Sequence, residues 1–164
     1  MESRNEIELR MLAAEDLDRA NAVVEAAVMT WNLSARVKRL SLPSYHYHSH
    51  DLEHLTLVGA EDAKGALVAV AAWEPASTAD TPHGAKGLLL HGLYVVPALH
   101  GTGIGSRLFD AAIKAARHGG YAGLVVKANP DAMIYFAARG MKQLSPEDTQ
   151  RDYPYRFWAE LQAD

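Results

Sequence analysis

The sequence predicts a mixed α/β domain spanning residues 1–164, and three observations carry that expectation. Short apolar runs bounded by turn residues read as strands. Two stretches, Glu15 to Met29 and Ile104 to Ala115, repeat apolar residues at helical spacing. The order of elements is strand, helices, three strands, helix, strand, helix, strands, which is the pattern of one α/β layer structure.

Each element has its own signal. Ile7, Leu9 and Met11 alternate with charged residues, as in a half-buried strand. Leu17, Ala20, Val23, Val24, Ala27 and Val28 form a helical stripe, and Asn32 to Leu40 reads as a second short helix. Pro43 to Asp51 has no clear periodicity. Leu55–Ala60 and Ala66–Trp73 are strands joined by the turn Glu61–Gly65. Glu74 to Gly87 is a loop rich in turn residues. Gly87–Val96 is a central strand stopped by Pro97. Ile104, Leu108, Ala111, Ala112 and Ala115 then mark one face of a helix closed by Gly119 and Gly120. Gly123–Ala128 is a strand. Asn129-Pro130-Asp131 opens a helix that ends at Gly140, since proline suits a first turn. Met141–Leu144 and Tyr155–Leu161 are closing strands around an acidic loop.

Composition narrows the function. The chain has 16 basic and 20 acidic residues, a net charge of −4, and no basic block, which argues against a nucleic-acid partner. It has no cysteine, so disulfides, thiolate catalysis and zinc–cysteine sites are excluded. The N-terminus is charged and lacks the apolar core of a secretory signal. No apolar run approaches the ~18 residues of a membrane span. A soluble cytoplasmic protein with no membrane partner is expected.

The chemistry concentrates at HGTGIG, residues 100–105. Strand, glycine-rich turn, helix is a general device for holding anions: the first helical N–H groups lack intrahelical partners and the dipole adds partial positive charge. A nucleoside-triphosphate loop would need a lysine and a hydroxyl residue after its last glycine. Here Ser106 stands five after Gly101 and no lysine follows before Lys114. A dinucleotide loop would need a third glycine where Ser106 stands, and an acid on the next strand, which carries Lys127 instead.

The stretch LYVVPALHGTGIGSRLFDAA resembles the acyl-CoA-binding motif of the GNAT N-acetyltransferases, a strand ending in proline, then [RQ]-x-x-G-x-[GA], then a helix. NPDAMIYFAARGM, from Asn129 to Met141, is similar to that family's second motif. The resemblance covers nearly the whole chain in element order. It implies the GNAT fold, a mixed and mostly antiparallel sheet flanked by helices. It also implies acetyl-CoA as co-substrate, entering between strands Gly87–Val96 and Gly123–Ala128, with no metal. The backbone of Leu93, Tyr94 and Val95 would pair with the pantetheine arm. The amides of Gly101, Thr102, Gly103, Ile104, Gly105 and Ser106 would receive the pyrophosphate, and Asn129 and Phe136 would line the arm. The implied reaction is direct transfer of an acetyl group to an amine of a small molecule or peptide, within a ternary complex. A non-catalytic acyl-CoA-binding module of the same fold is the alternative. Many relatives pair as dimers, so a homodimer is compatible.

The sequence departs from the family pattern at three places. His100 replaces the usual Arg or Gln at the head of the loop, a position from which it would bind the phosphate of the co-substrate. The family's proton-donating tyrosine falls on Phe136, which has no proton to give, while Tyr135 stands one residue earlier, about 100° around a helix. The glutamate that many relatives use as base falls on His91, an imidazole suited to that work near neutral pH. Glu74 is the next candidate base, and Tyr135 the candidate acid.

YHYHSHDLEH holds His46, His48, His50 and His54. HDLEH formally matches the inverted zinc-protease pattern, which requires a helix and a third ligand. The flanking Pro43 and Ser44 and the strand-like LTLV that follows argue against that helix. In the family reading this segment and Trp31 border the acceptor. Arg36, Lys38 and Arg39 read as a solvated helix face.

Overall fold

The computed structural model describes residues 6–161. Seven strands form one mixed sheet: β1 (Glu8–Met11), β2 (Thr56–Glu61), β3 (Leu67–Pro75), β4 (Gly87–Val95), β5 (Gly123–Lys127), β6 (Lys142–Leu144) and β7 (Arg156–Glu160). Their order is β1-β2-β3-β4-β5-β7-β6. The pairs β1–β2, β5–β7 and β6–β7 are antiparallel, and β4–β5 is parallel. Four α-helices accompany them: α1 (Leu17–Val28), α2 (Ala35–Tyr45), α3 (Ile104–His118) and α4 (Met133–Ala138). This is the mixed, mostly antiparallel α/β architecture the sequence predicts. No helix among the described residues is long and apolar enough to cross a membrane.

Two compact units share β3, β4 and α3, which run from one into the other. The first comprises residues 1–72 and 92–109. Its core joins the stripe of α1 (Ala20, Val23, Val24, Ala27, Val28) to Leu57 of β2, Val70 of β3 and Tyr94 of β4. At the entry to α1, Asp16 is nearly inaccessible. It accepts hydrogen bonds from Arg10 at 2.8 and 3.0 Å, from Arg19 at 2.8 Å and from the Ala13 N–H at 2.9 Å. Arg10 also pairs with Glu61, so two carboxylates and two guanidinium groups tie β1, β2 and α1 together.

The second unit comprises residues 73–91 and 110–164. Glycine opens both β4 and β5 for a packing reason. A Cβ on Gly123 would stand 2.3 Å from the Trp158 ring, and one on Gly87 would stand 3.0 Å from it. Arg156 is buried and binds main-chain carbonyls of Ala79, Ser145 and Tyr153, fastening the Glu74–Gly87 loop and the acidic loop to β7.

Several boundaries move from the sequence reading. The second helix runs over Ala35–Tyr45 rather than Asn32–Leu40, because the Ser34 hydroxyl caps it by accepting from Val37 N–H at 3.2 Å. It contains Pro43 and buries none of its residues. The helix expected from Asn129 to Gly140 divides into a 3-10 turn at Pro130–Ala132 and the six residues of α4. The Asn129 side chain accepts from Asp131 N–H at 2.8 Å and so commits the start to a tight turn.

The Asp16 cluster makes an acid-dependent contribution to stability. Hydrogen bonds, first from Arg10 and then from the Ala13 amide, hold its carboxyl well below the usual carboxylate range, against the opposing effect of burial. A depressed folded pKa stabilises fully above the unfolded value near 3.9 and is lost as pH falls through the folded value. Asp16→Asn therefore lowers stability by about 1.5–3 kcal/mol at pH 7, the worth of hydrogen bonds to a charged group. In urea unfolding the gap between wild type and D16N narrows as pH falls below about 4.

Candidate functional site

The glycine turn stands between β4 and α3, and its geometry follows from its residues. Pro97 starts a 3-10 turn at Pro97–Leu99 just after β4. Gly101 (φ +77°) and Gly103 (φ +90°) then take left-handed backbone, which side-chain-bearing residues adopt only at a cost of roughly 1–2 kcal/mol. Nothing lies within 4 Å of where a Cβ would stand on either glycine, so both open onto space. The first bond of α3 runs from Arg107 N–H to Gly103 O at 3.1 Å. The Thr102 N–H donates to Leu99 O at 3.3 Å, while the helix start leaves the N–H groups of Ile104 and Gly105 without an intrahelical acceptor. No acidic residue occupies the first turn of α3, and Arg117 and His118 sit in its last turn, so charge is arranged with the helix dipole. Ile104, Leu108 and Phe109 are buried, which fixes where the helix starts.

His100 is exposed, and its Nε2 donates to the carbonyl oxygen of Val95 at 2.8 Å. The imidazole closes the turn back onto the strand and fixes the tautomer with the proton on Nε2. The Thr102 hydroxyl donates to Leu99 O at 2.6 Å, a second brace within the same turn.

Along β4, burial alternates. Leu88, Leu90 and Tyr94 are buried, whereas Leu89, His91, Leu93 and Val95 are more accessible. His91 thus belongs to the accessible face of β4, with Leu93 and Val95. The parallel register with β5 covers Gly87–Leu90 against Gly123–Val126, and β4 continues to Val95 beyond it. Glu74, at the end of β3, is half-buried. Ser106 lies in the first turn of α3 and Asn129 is half-buried.

In the second unit α4 separates the two aromatic candidates. Phe136 is buried and its ring packs 6.3 Å from that of Phe157. Tyr135 packs edge-on against Phe136, with centroids 5.2 Å apart. Its hydroxyl is inaccessible and has no hydrogen-bond partner among the described residues. A buried unsatisfied hydroxyl is costly and marks a place where a ligand atom can complete the bonding.

The first unit also gathers a set of aromatic rings that the sequence reading only partly joined. Trp31 packs edge-on against Tyr45 at 5.1 Å and lies near-parallel to Tyr94 at 6.5 Å. Burial pushes the Tyr94 phenol up to about 12, aided by Tyr45 and opposed by a hydrogen bond with Tyr47, so it stays protonated at neutral pH. Tyr94 therefore offers the strand's backbone while its side chain belongs to the core. Gly92 makes this packing possible: a Cβ there would stand 2.5 Å from the Tyr47 hydroxyl and 2.6 Å from the Tyr94 ring. Sequence inspection had no signal for Gly92, because its need is set by tyrosines 2 and 45 residues away in the chain.

Comparison with known proteins follows this geometry. The acetyltransferase (GNAT) family model matches residues 17–141. A GNAT family acetyltransferase from Brucella melitensis, solved with acetyl-CoA, is similar with TM-score 0.66 and 20% identity, over 98% of this chain and 92% of that one. The PaiA N-acetyltransferase of Thermoplasma acidophilum, solved with coenzyme A, is similar with TM-score 0.74 and 16% identity, over 94% and 99%. AtaT complexed with acetyl-methionyl-tRNAfMet is similar with TM-score 0.63 and 14% identity, over 94% and 95%. No curated protein matches the sequence.

Gly92→Ala forces the Tyr47 hydroxyl and the Tyr94 ring aside. It costs about 1–3 kcal/mol, as overpacking does, and changes the near-ultraviolet circular dichroism of the Trp31 cluster. An unchanged spectrum and unchanged unfolding midpoint would contradict the packing described.

Proposed function

The chain belongs to the GNAT acetyltransferase family, and from that premise we propose that it transfers an acetyl group from acetyl-CoA to an amine of a small molecule or peptide. The observation that carries the proposal is the glycine turn. Its two left-handed glycines open onto space at the acid-free start of α3, which suits a pyrophosphate. Tyr135, whose buried hydroxyl has no hydrogen-bond partner among the described residues, is the candidate acid. The residues present fit the group that the family uses.

In this reading the amides around the start of α3 hold the pyrophosphate, with Thr102 shaping the turn because its N–H is given to Leu99 O, and the backbone of Leu93, Tyr94 and Val95 pairs with the pantetheine arm. His100 braces the turn by holding the Val95 carbonyl, and its role toward phosphate is indirect. Asn129 contributes through its capped turn. Phe136 supports α4 from the core and leaves the proton to Tyr135. Acetyl-CoA supplies an activated thioester. Backbone amides of β4 polarise its carbonyl.

His91, on the accessible face of β4, takes the proton from the attacking ammonium, with Glu74 as the second candidate base. The free amine attacks the thioester carbon, the C–S bond breaks, Tyr135 donates its proton to the departing thiolate, and the proton that the new amide nitrogen loses returns through solvent to Tyr135. Attack is direct, because the chain has no cysteine to carry the acetyl group. A purely acyl-CoA-binding role is the alternative, and turnover decides between them.

Two variants test this reading. Gly103→Val places a β-branched residue at φ +90° in the space assigned to the pyrophosphate. It abolishes coenzyme A binding by calorimetry while circular dichroism stays native. Wild-type affinity would overturn the assignment. Tyr135→Phe lowers kcat for thiol release by about 10²-fold, the low end for general acid catalysis, and leaves KM for acetyl-CoA within about two-fold. Tight coenzyme A binding without turnover on any amine would leave only the binding role.

A further inference from the structure

The histidine-rich segment is outside the chemistry described so far, and the structure organises it in a way the HDLEH pattern does not anticipate. Residues Ser49–Glu53 form a five-residue 3-10 turn, not the helix that a zinc-protease pattern needs. His50 and His54 are therefore not paired as such ligands. His48, His50 and Asp51 converge instead, with their ligand atoms all within 4.8 Å of one another.

The spacing distinguishes this convergence from an ordinary ion pair. His48 Nδ1 stands 3.7 Å from Asp51 Oδ2, and His50 Nε2 stands 3.5 Å from Asp51 Oδ1. Both are longer than a good hydrogen bond. Either is close to the roughly 3.4 Å edge of a tetrahedron with bonds of about 2.0–2.1 Å, for whichever carboxylate oxygen serves as the ligand. The two imidazole rings lie parallel within 4°, with centroids 5.6 Å apart. Each carboxylate oxygen faces a different ring nitrogen, and the rings are exposed enough to close the remaining gap by rotation.

The base of the cluster is firm. Asp51 Oδ2 accepts the His48 N–H at 2.7 Å, and the Asp51 N–H donates to His48 O at 3.0 Å. A carboxylate has about four acceptor positions, so this bond leaves capacity for a cation. Just upstream, the Asn21 side chain clamps Tyr47 in both directions. It accepts from Tyr47 N–H at 2.8 Å and donates to Tyr47 O at 2.9 Å. The ligands thus rise from a segment pinned to α1.

We propose that His48, His50 and Asp51 form a binding site for one borderline divalent cation of the zinc or nickel class, completed by water. Two imidazoles and one carboxylate suit such ions better than magnesium or calcium, which prefer all-oxygen shells. The ion cross-links the turn that follows Tyr47 and takes no part in acyl transfer.

Calorimetric titration of the full chain with zinc chloride, in buffer free of chelators and phosphate, tests this. One ion binds per chain, and zinc raises the melting temperature. In the double variant H48A/H50A the affinity falls by more than about 100-fold, since loss of two direct ligands exceeds the 10–100-fold typical of outer-shell changes. The thermal shift disappears, while the metal-free melting temperature stays that of wild type. His54→Ala binds zinc as wild type does. Absence of stoichiometric binding, equal binding by H48A/H50A, or loss of binding in H54A overturns the proposal. None of these outcomes depends on acetyl transfer, so failure here is distinct from failure of the proposed activity.

Discussion

Left-handed backbone at Gly101 and Gly103 carries the chain from the end of β4 into the first turn of α3, and the accessible amides of this protein depend on it. Four features of the same short stretch cooperate. Pro97 ends the strand. His100 returns to hold the Val95 carbonyl. Thr102 braces the turn through Leu99 O. The burial of Ile104, Leu108 and Phe109 then fixes where the helix begins. An anion site made of backbone has little adjustability of its own, so its accuracy comes from this packing. Glycine serves twice, since it accepts the backbone angle and leaves the space above the amides open.

A second dependence runs through Gly92. With no side chain there, Tyr47 reaches β4 and Tyr94 turns into the core beside Trp31. The same Tyr47 is clamped by Asn21 of α1 and leads directly into the histidine turn. Strand, aromatic cluster and surface turn are therefore one mechanical sequence within the first unit.

Much of this was legible in the sequence because the signals are local. The stripe of α1, the apolar run of β4 and the glycine turn each announce themselves within a dozen residues, and the element order led to the correct fold. What was not legible depends on contacts distant in sequence. The role of Gly92 is set by Tyr47 and Tyr94. Ser34, a local cap, starts α2 three residues beyond the expected start. The separation of Tyr135 from Phe136 needed Phe157, which claims the Phe136 ring for the core. His100 resembled a phosphate ligand by position, and only the fold shows its Nε2 committed to Val95.

The central claim is that the backbone amides between β4 and the first turn of α3 receive the pyrophosphate of coenzyme A. Amide-resolved nuclear magnetic resonance of the labelled protein, titrated with coenzyme A, tests it most directly. The account predicts that the amide signals of Gly101 to Ser106 shift together and saturate, with Leu93 to Val95 following. Saturable shifts confined to other parts of the chain, with the Gly101–Ser106 signals unmoved, would contradict it.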